Sequence, residues 1–377
     1  MKINFKIVAA FLTTLLLLLL VAVLGSDYIE YRKNYKDFKE YMAQKESRED
    51  VPDFEPIDIP DMELGEQETP EQSTEAPVEP SAPEEGEILA TAKPIVDVSG
   101  NVLWQPENVT AEDADKIRGL VAQRKQIYSW ENSYEKTMAI YDIDKQILDI
   151  AQCTFPNITV NFVGDSVTEG VGGKDNGYGS KTGYVDYVNQ YLQFETVYNN
   201  GKGGRMIGDY NKHPELSIDY NSSQLLLNSV NITVLYAGIN DFLTTEESKN
   251  YGVIDNGTTG GYCGQLQRLF HNMQNNYPGM DVFIVTCYQN DFEDTTENFV
   301  NFNGKPVLKD YMDPQIRLAN ECGFHVIDLF NTGFFDISNQ ETKDALLSDS
   351  IHPNDTGYQI LGTHIACEML LYYLGME

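Results

Sequence analysis

The apolar positions of this chain change their spacing several times, and each change marks an element. Residues 7–24 are apolar apart from Thr13 and Thr14, with Lys2 and Lys6 before them. Eighteen helical residues reach ~27 Å at 1.5 Å each, close to the ~30 Å hydrocarbon core of a bilayer. The run exceeds the roughly 7–15 residues of a cleaved signal peptide, and Val23-Leu24-Gly25 is a poor cleavage site. The pattern predicts an uncleaved signal anchor over 1–26, with secretion after cleavage as the alternative. A charged, aromatic juxtamembrane helix follows. Counting Arg32, Lys33, Lys36 and Lys39 against Lys2 and Lys6 would by itself put the domain inside. The short basic N-terminus and the segment that follows favour a single-pass membrane protein with its domain extracytoplasmic.

From residue 51 to about 87 the periodicity disappears. Pro52, Pro56, Pro60, Pro70, Pro77, Pro80 and Pro83 recur among Glu, Ser and Thr. Such a segment buries too little apolar surface to fold and reads as an extended stalk, so that 27–94 is a juxtamembrane helix plus an acidic, Pro-rich linker. Residues 95–156 read as a helical N-terminal extension, helical from Ala111 with Thr110 as its N-cap.

From 157 onward strand-like and helix-like patterns alternate. Residues 158–163, 231–236, 281–287 and 324–329 are short apolar, β-branched runs. Between and after them, 183–191, 264–277, 310–322 and 357–373 carry helical spacing; Leu266, Leu269, Phe270 and Met273 share one face, and Ile360, Leu361, His364, Ile365, Met369 and Leu370 another. Alternation of this kind predicts an α/β domain over 157–377 with a central parallel sheet. Ligand sites in such sheets lie at the carboxyl ends of the strands.

Charge and cysteine content narrow the function classes. The formal net charge is −32, and fifteen acidic residues with no basic one lie between Glu49 and Glu87, leaving about −17 for the rest. A chain this acidic has no electrostatic case for nucleic acid as a partner. Cys153, Cys263, Cys287, Cys322 and Cys367 have no zinc-site spacing and are too few for a disulfide scaffold. Most of them are expected to be small buried hydrophobes.

Two blocks carry chemistry. Phe162-Val163-Gly164-Asp165-Ser166-Val167-Thr168-Glu169-Gly170 sets a serine just past a strand end, on a glycine-flanked turn. Asp349-Ser350-Ile351-His352-Pro353 sets a carboxylate three residues before an imidazole. A serine hydroxyl needs a base to take its proton, and the base needs a carboxylate to fix its tautomer. Of the five histidines only His352 has that neighbour in a loop; His271, His325 and His364 fall on elements, where packing suffices. A tetrahedral intermediate also needs donors for its oxyanion. The glycine-rich turn Asn199-Asn200-Gly201-Lys202-Gly203-Gly204 and the side-chain amide of Asn240 are candidates.

In combination these blocks resemble the SGNH hydrolases, the GDSL lipase/esterase family. Gly164-Asp165-Ser166, the glycine turn, Gly238-Ile239-Asn240-Asp241 and Asp349-Ser350-Ile351-His352-Pro353 occur in that family's order. The resemblance covers roughly 157–375. It implies a flavodoxin-like three-layer α/β/α sandwich with no metal or organic cofactor. By position it implies Ser166 as nucleophile, His352 as base and Asp349 as its orienter. It places the Ser166 N–H, the Gly204 N–H and the Asn240 side chain in the oxyanion hole, with Gly203 as an alternative to Gly204. Met206 departs from the family, where threonine is frequent. The expectation is a membrane-anchored esterase acting on acyl esters, acetyl foremost, of a small molecule or polysaccharide. An acyltransferase acting on envelope polysaccharide and a non-catalytic glycan-binding module on a stalk are the alternatives.

Overall fold

The computed structural model describes residues 91–106, 109–175, 181–208, 214–219, 221–226, 230–243, 262–289, 308–335 and 340–377. All of them fall in one compact unit, Glu79–Glu377. The strands are β1 (Ile95–Val96), β2 (Val102–Trp104), β3 (Thr159–Gly164), β4 (Thr196–Gly201), β5 (Ile232–Tyr236), β6 (Asp281–Val285) and β7 (His325–Ile327). The helices are α1 (Ala111–Ile127), α2 (Tyr134–Ala151), α3 (Ser166–Glu169), α4 (Tyr184–Leu192), α5 (Ser222–Leu225) and α6 (Ile239–Leu243). Along the remainder lie α7 (Tyr262–Asn276), α8 (Lys309–Cys322), α9 (Leu329–Thr332), α10 (Gln340–Leu346) and α11 (Asp355–Leu374).

Strands β3 to β7 form one parallel sheet in the order β4-β3-β5-β6-β7. Numbered within the sheet this is 2-1-3-4-5, the flavodoxin-like order, with its topological switch between β3 and β5. Alternation along each strand builds two cores. Val160, Phe162, Ile232, Val234, Phe283 and Val285 face α4 and α11, whereas Val163, Leu235, Val282 and Ile284 face α7 and α8.

The expectation for the N-terminal end is corrected here. No helix among the described residues is long and apolar enough to cross a membrane. The run at 7–24, the juxtamembrane helix and the acidic stalk lie outside the described residues.

Residues 95–156 share the core of the sheet domain. They comprise a hairpin and two helices. Thr110 caps α1 by accepting from Asp113 N at 3.1 Å. Trp104 of β2 stacks on Phe155 with ring centroids 4.0 Å apart, and its indole N–H donates to Thr154 O at 2.7 Å. The two helices are joined by a loop closed around the buried Lys136 ammonium, which donates to the Tyr128 and Trp130 carbonyls and to Asn132 Oδ1.

Helix α2 docks on α11, and a buried ionic network crosses that seam. Arg124 Nη1 donates to Asp144 Oδ1 at 2.6 Å, and Arg124 Nη2 lies 2.5 Å from Glu368 Oε1. Asp144 Oδ2 is 2.6 Å from His364 Nδ1, and Phe334 stacks on the His364 ring. Burial alone would raise the Asp144 pKa, but His364 and Arg124 override it and hold the carboxyl below its ordinary value. Four of the cysteines are buried, Cys322 is half-buried, and none is bonded to another.

Removing the centre of this network leaves the buried His364 ring without its carboxylate and Arg124 with Glu368 alone. Asp144→Ala is expected to lower unfolding stability by about 3–5 kcal/mol, read as a fall in the urea midpoint. A loss below about 1 kcal/mol would contradict a network that ties α1 and α2 to α11.

Candidate active site

Strand β3 ends at Gly164, and the chain turns at once into α3. A β-carbon at Gly164 would lie 2.1 Å from Thr168 Oγ1 and 2.3 Å from the Tyr236 carbonyl, so only glycine lets the turn close against the end of β5. Asp165 caps α3 by accepting from Val167 N at 2.9 Å. Ser166 is the first helical residue, 9% exposed, at the carboxyl end of the sheet.

Opposite stands the loop between α10 and α11. His352 Nε2 is 2.8 Å from Ser166 Oγ, and His352 Nδ1 is 2.7 Å from Asp349 Oδ2. With Nδ1–H donating to the Asp349 carboxylate, Nε2 is left to accept from the serine hydroxyl. The other Asp349 oxygen accepts from Ile351 N and His352 N, both at 2.7 Å, which fixes the carboxylate against the loop. Burial would raise the Asp349 pKa. Its bonds from the His352 ring, His352 N and Ile351 N win and hold it below the usual carboxylate range. The loop is tied down further: Ser348 Oγ donates to His352 O at 3.1 Å, and the buried Tyr288 hydroxyl donates to Ile351 O. Asn354 Oδ1 then caps α11 through Gly357 N at 3.0 Å.

The glycine turn leaves β4 alongside α3. A β-carbon at Gly201 would lie 2.2 Å from Glu169 N, so β4 can run this close to α3 only with glycine there. Asn199 Nδ2 donates to Thr168 O at 2.9 Å, and Lys202 N donates to Gly164 O at 3.1 Å. Gly203 N donates to Glu169 Oε2 at 2.6 Å. Gly204 follows in the left-handed region, φ +75°. Asn240, in the first turn of α6, donates from Nδ2 to Arg205 O at 2.9 Å. The carboxylate of Asp241 beside it accepts from Ile207 N and Gly208 N, both at 2.9 Å.

The structure therefore brings Ser166, His352 and Asp349 into one hydrogen-bonded relay and sets the glycine turn and Asn240 beside it. Between the two glycines left open by the sequence it makes a difference: the Gly203 N–H is engaged by Glu169, which leaves Gly204 as the candidate donor. This constellation lies on the segment that matches the model of the GDSL-like lipase/acylhydrolase family, residues 162–360.

The chain belongs to that family.

It is a GDSL-type serine ester hydrolase. Among solved structures the fold is similar to Axe2, an acetylxylan esterase from Geobacillus stearothermophilus, at 17% identity and TM-score 0.41, covering 59% of this chain and 96% of that one. It is similar also to the acetyl xylan esterase AlAXEase, at 21% identity and TM-score 0.40, covering 55% and 98%. A third is a protein from Lactobacillus plantarum, at 18% identity and TM-score 0.45, covering 58% and 97%. Likeness at this level says nothing about what this hydrolase acts on. A comparison with curated proteins returns no match.

Sequence reasoning missed several residues that this hydrolase uses to hold the site. Asp165 and Asp241 are fully buried, and burial pushes each carboxyl up to about 7. The Asp165 Oδ2 atom is buried with no hydrogen-bond partner. Glu169 and Tyr288 act through contacts that exist only after folding. The one signal available was that Asp165 and Asp241 sit inside the conspicuous blocks.

The Asp165 shift has a defined sign. Its pKa rises from 3.8 to about 7 on folding, so between those values the folded state binds the proton more tightly. Stability attributable to this group is therefore full at low pH and is lost as pH rises from about 4 through 7. Asn at 165 keeps the cap without titrating. Asp165→Asn is expected to gain on the order of 3–4 kcal/mol relative to wild type between pH 4 and pH 8 in urea titrations. Parallel pH profiles for the two proteins would contradict a buried, titrating carboxyl.

Proposed function

We propose that Ser166 is the nucleophile of a two-step ester hydrolysis that passes through an acyl-enzyme. The observation that carries this reading is the relay of 2.8 Å from Ser166 Oγ to His352 Nε2 and 2.7 Å from His352 Nδ1 to Asp349. In the first step His352 takes the hydroxyl proton as Oγ attacks the ester carbonyl. Asp349, held ionised by its own hydrogen bonds, stabilises the imidazolium that forms. The Ser166 N–H, the Gly204 N–H and the Asn240 amide face the developing oxyanion. His352 then gives the proton to the departing alkoxide, and the alcohol leaves. Water, deprotonated by His352, attacks the acyl-enzyme; His352 returns that proton to Ser166 Oγ as the acyl bond breaks, and the product leaves as the carboxylic acid, which ionises in solvent.

Acetyl esters of carbohydrate hydroxyls are the substrate class proposed, on the strength of the SGNH resemblance. A non-catalytic glycan-binding role has no need for a serine, an imidazole and a carboxylate kept in hydrogen-bonding register, and the intact relay speaks against it.

Ser166→Ala is expected to lower turnover of p-nitrophenyl acetate by at least about 10³-fold without changing the thermal midpoint appreciably. Acetylated xylo-oligosaccharides are expected to be turned over faster than octanoyl esters. A wild-type preference for the long chain would overturn the acetyl assignment. Equal activity of Ser166→Ala would overturn the nucleophile.

A further inference from the structure

The glycine turn is pinned on both sides of Gly204. On the upstream side Gly203 N donates to the Glu169 carboxylate at 2.6 Å. On the downstream side Arg205 N donates to Lys202 O at 3.1 Å, the Arg205 guanidinium reaches the Asn200 carbonyl, and the Arg205 carbonyl accepts from Asn240 at 2.9 Å. Glu169 is also the last residue of α3, the helix that opens with Ser166. Nucleophile and turn are thus joined through a four-residue helix that presents its hydroxyl at one end and its carboxylate at the other. A β-carbon at Gly203 would be 3.9 Å from Ser166 Cβ, so the pinned residue lies directly beside the nucleophile.

A glycine pair is conformationally free, and an oxyanion donor is useful only when its N–H is aimed in advance. The Gly204 N–H belongs to the peptide that joins it to Gly203. Fixing Gly203 by its own N–H therefore limits how that peptide can rotate. Arg205 is the cation that faces Glu169 across the turn. Its guanidinium is already engaged with Asn200, which leaves the carboxylate to the backbone.

We infer that Glu169 is a positioning residue: its carboxylate, by accepting the Gly203 N–H, aims the Gly204 N–H at the oxygen of the tetrahedral intermediate. This deepens the ester-hydrolysis reading of the Ser166 site and rests on it. The Glu169 carboxylate is spent on the turn rather than on Ser166 Oγ or the His352 ring, so the effect is expected in the transition state and on kcat.

The test compares Glu169→Ala, Glu169→Asp and Glu169→Gln with wild type and with Ser166→Ala, using p-nitrophenyl acetate and a phenylboronic acid as the tetrahedral analogue. Glu169→Ala is expected to lower kcat about 10–30-fold, part of the effect of losing an oxyanion donor outright, with KM within about threefold. Boronate affinity should fall in step with kcat. Glu169→Asp keeps the charge but withdraws the acceptor and should resemble Ala. Glu169→Gln keeps an acceptor oxygen at the same reach and should restore kcat to within about threefold of wild type. Thermal midpoints accompany each variant; were Ala to unfold, the Asp and Gln pair would decide the matter alone. The inference is overturned if kcat is unchanged in Ala and Asp, if Gln falls as far as Ala, or if only KM moves. A wild type with no more activity than Ser166→Ala removes the ester-hydrolysis reading and this inference together. An active wild type with indifferent Glu169 variants removes this inference alone.

Discussion

At Gly164 a single hydrogen separates the turn that carries Ser166 from the carbonyl of Tyr236, where a β-carbon would sit at 2.3 Å. That close approach is set by the sheet order. β3 lies between β4 and β5, and Gly164 pairs in register with Gly201 on one side and Tyr236 on the other. The three strand ends therefore deliver Ser166, the glycine turn and the loop leading to Asn240 to one place. Only His352 and Asp349 must arrive from elsewhere, and they do so on the loop before α11, held by Asn354, Ser348 and Tyr288.

Three carboxylates around Ser166 are sorted by environment. Asp349 receives hydrogen bonds from a ring and two backbone amides, which hold its carboxyl below the usual carboxylate range. Asp165 and Asp241 are sealed from solvent, and burial outweighs their backbone bonds. Their task is to fix backbone: the start of α3 for Asp165 and the segment after the glycine turn for Asp241. Rigidity of the turn is thus bought with two costly buried acids, a distribution of strain common where geometry matters more than stability.

Much of this was legible in the chain itself. The strands at β3, β5 and β6 are mostly apolar runs, interrupted by the buried Asn161 and Thr233, because both faces of the sheet are covered. Strand β4 was not seen: Thr196–Gly201 is an edge strand, half exposed, and its sequence TVYNNG looks like a turn. The hairpin β1–β2 was too short to leave a period. Helix α11 was expected to show an apolar stripe but is buried on nearly every side, since α2 and α4 cover it from two directions. The relay residues were readable because each lies in a compact block. Glu169 lies in the first of those blocks too, but its value depends on β4 running beside α3, and no local pattern encodes that neighbour.

The central proposal is that the relay with His352 and Asp349 makes the Ser166 hydroxyl nucleophilic. A fluorophosphonate probe applied to the folded protein, with the adduct located by peptide mass spectrometry, tests it most directly. The structure predicts a single adduct on Ser166, lost when His352 is replaced by Ala. An adduct on another residue, or no adduct in a folded, active protein, would contradict it.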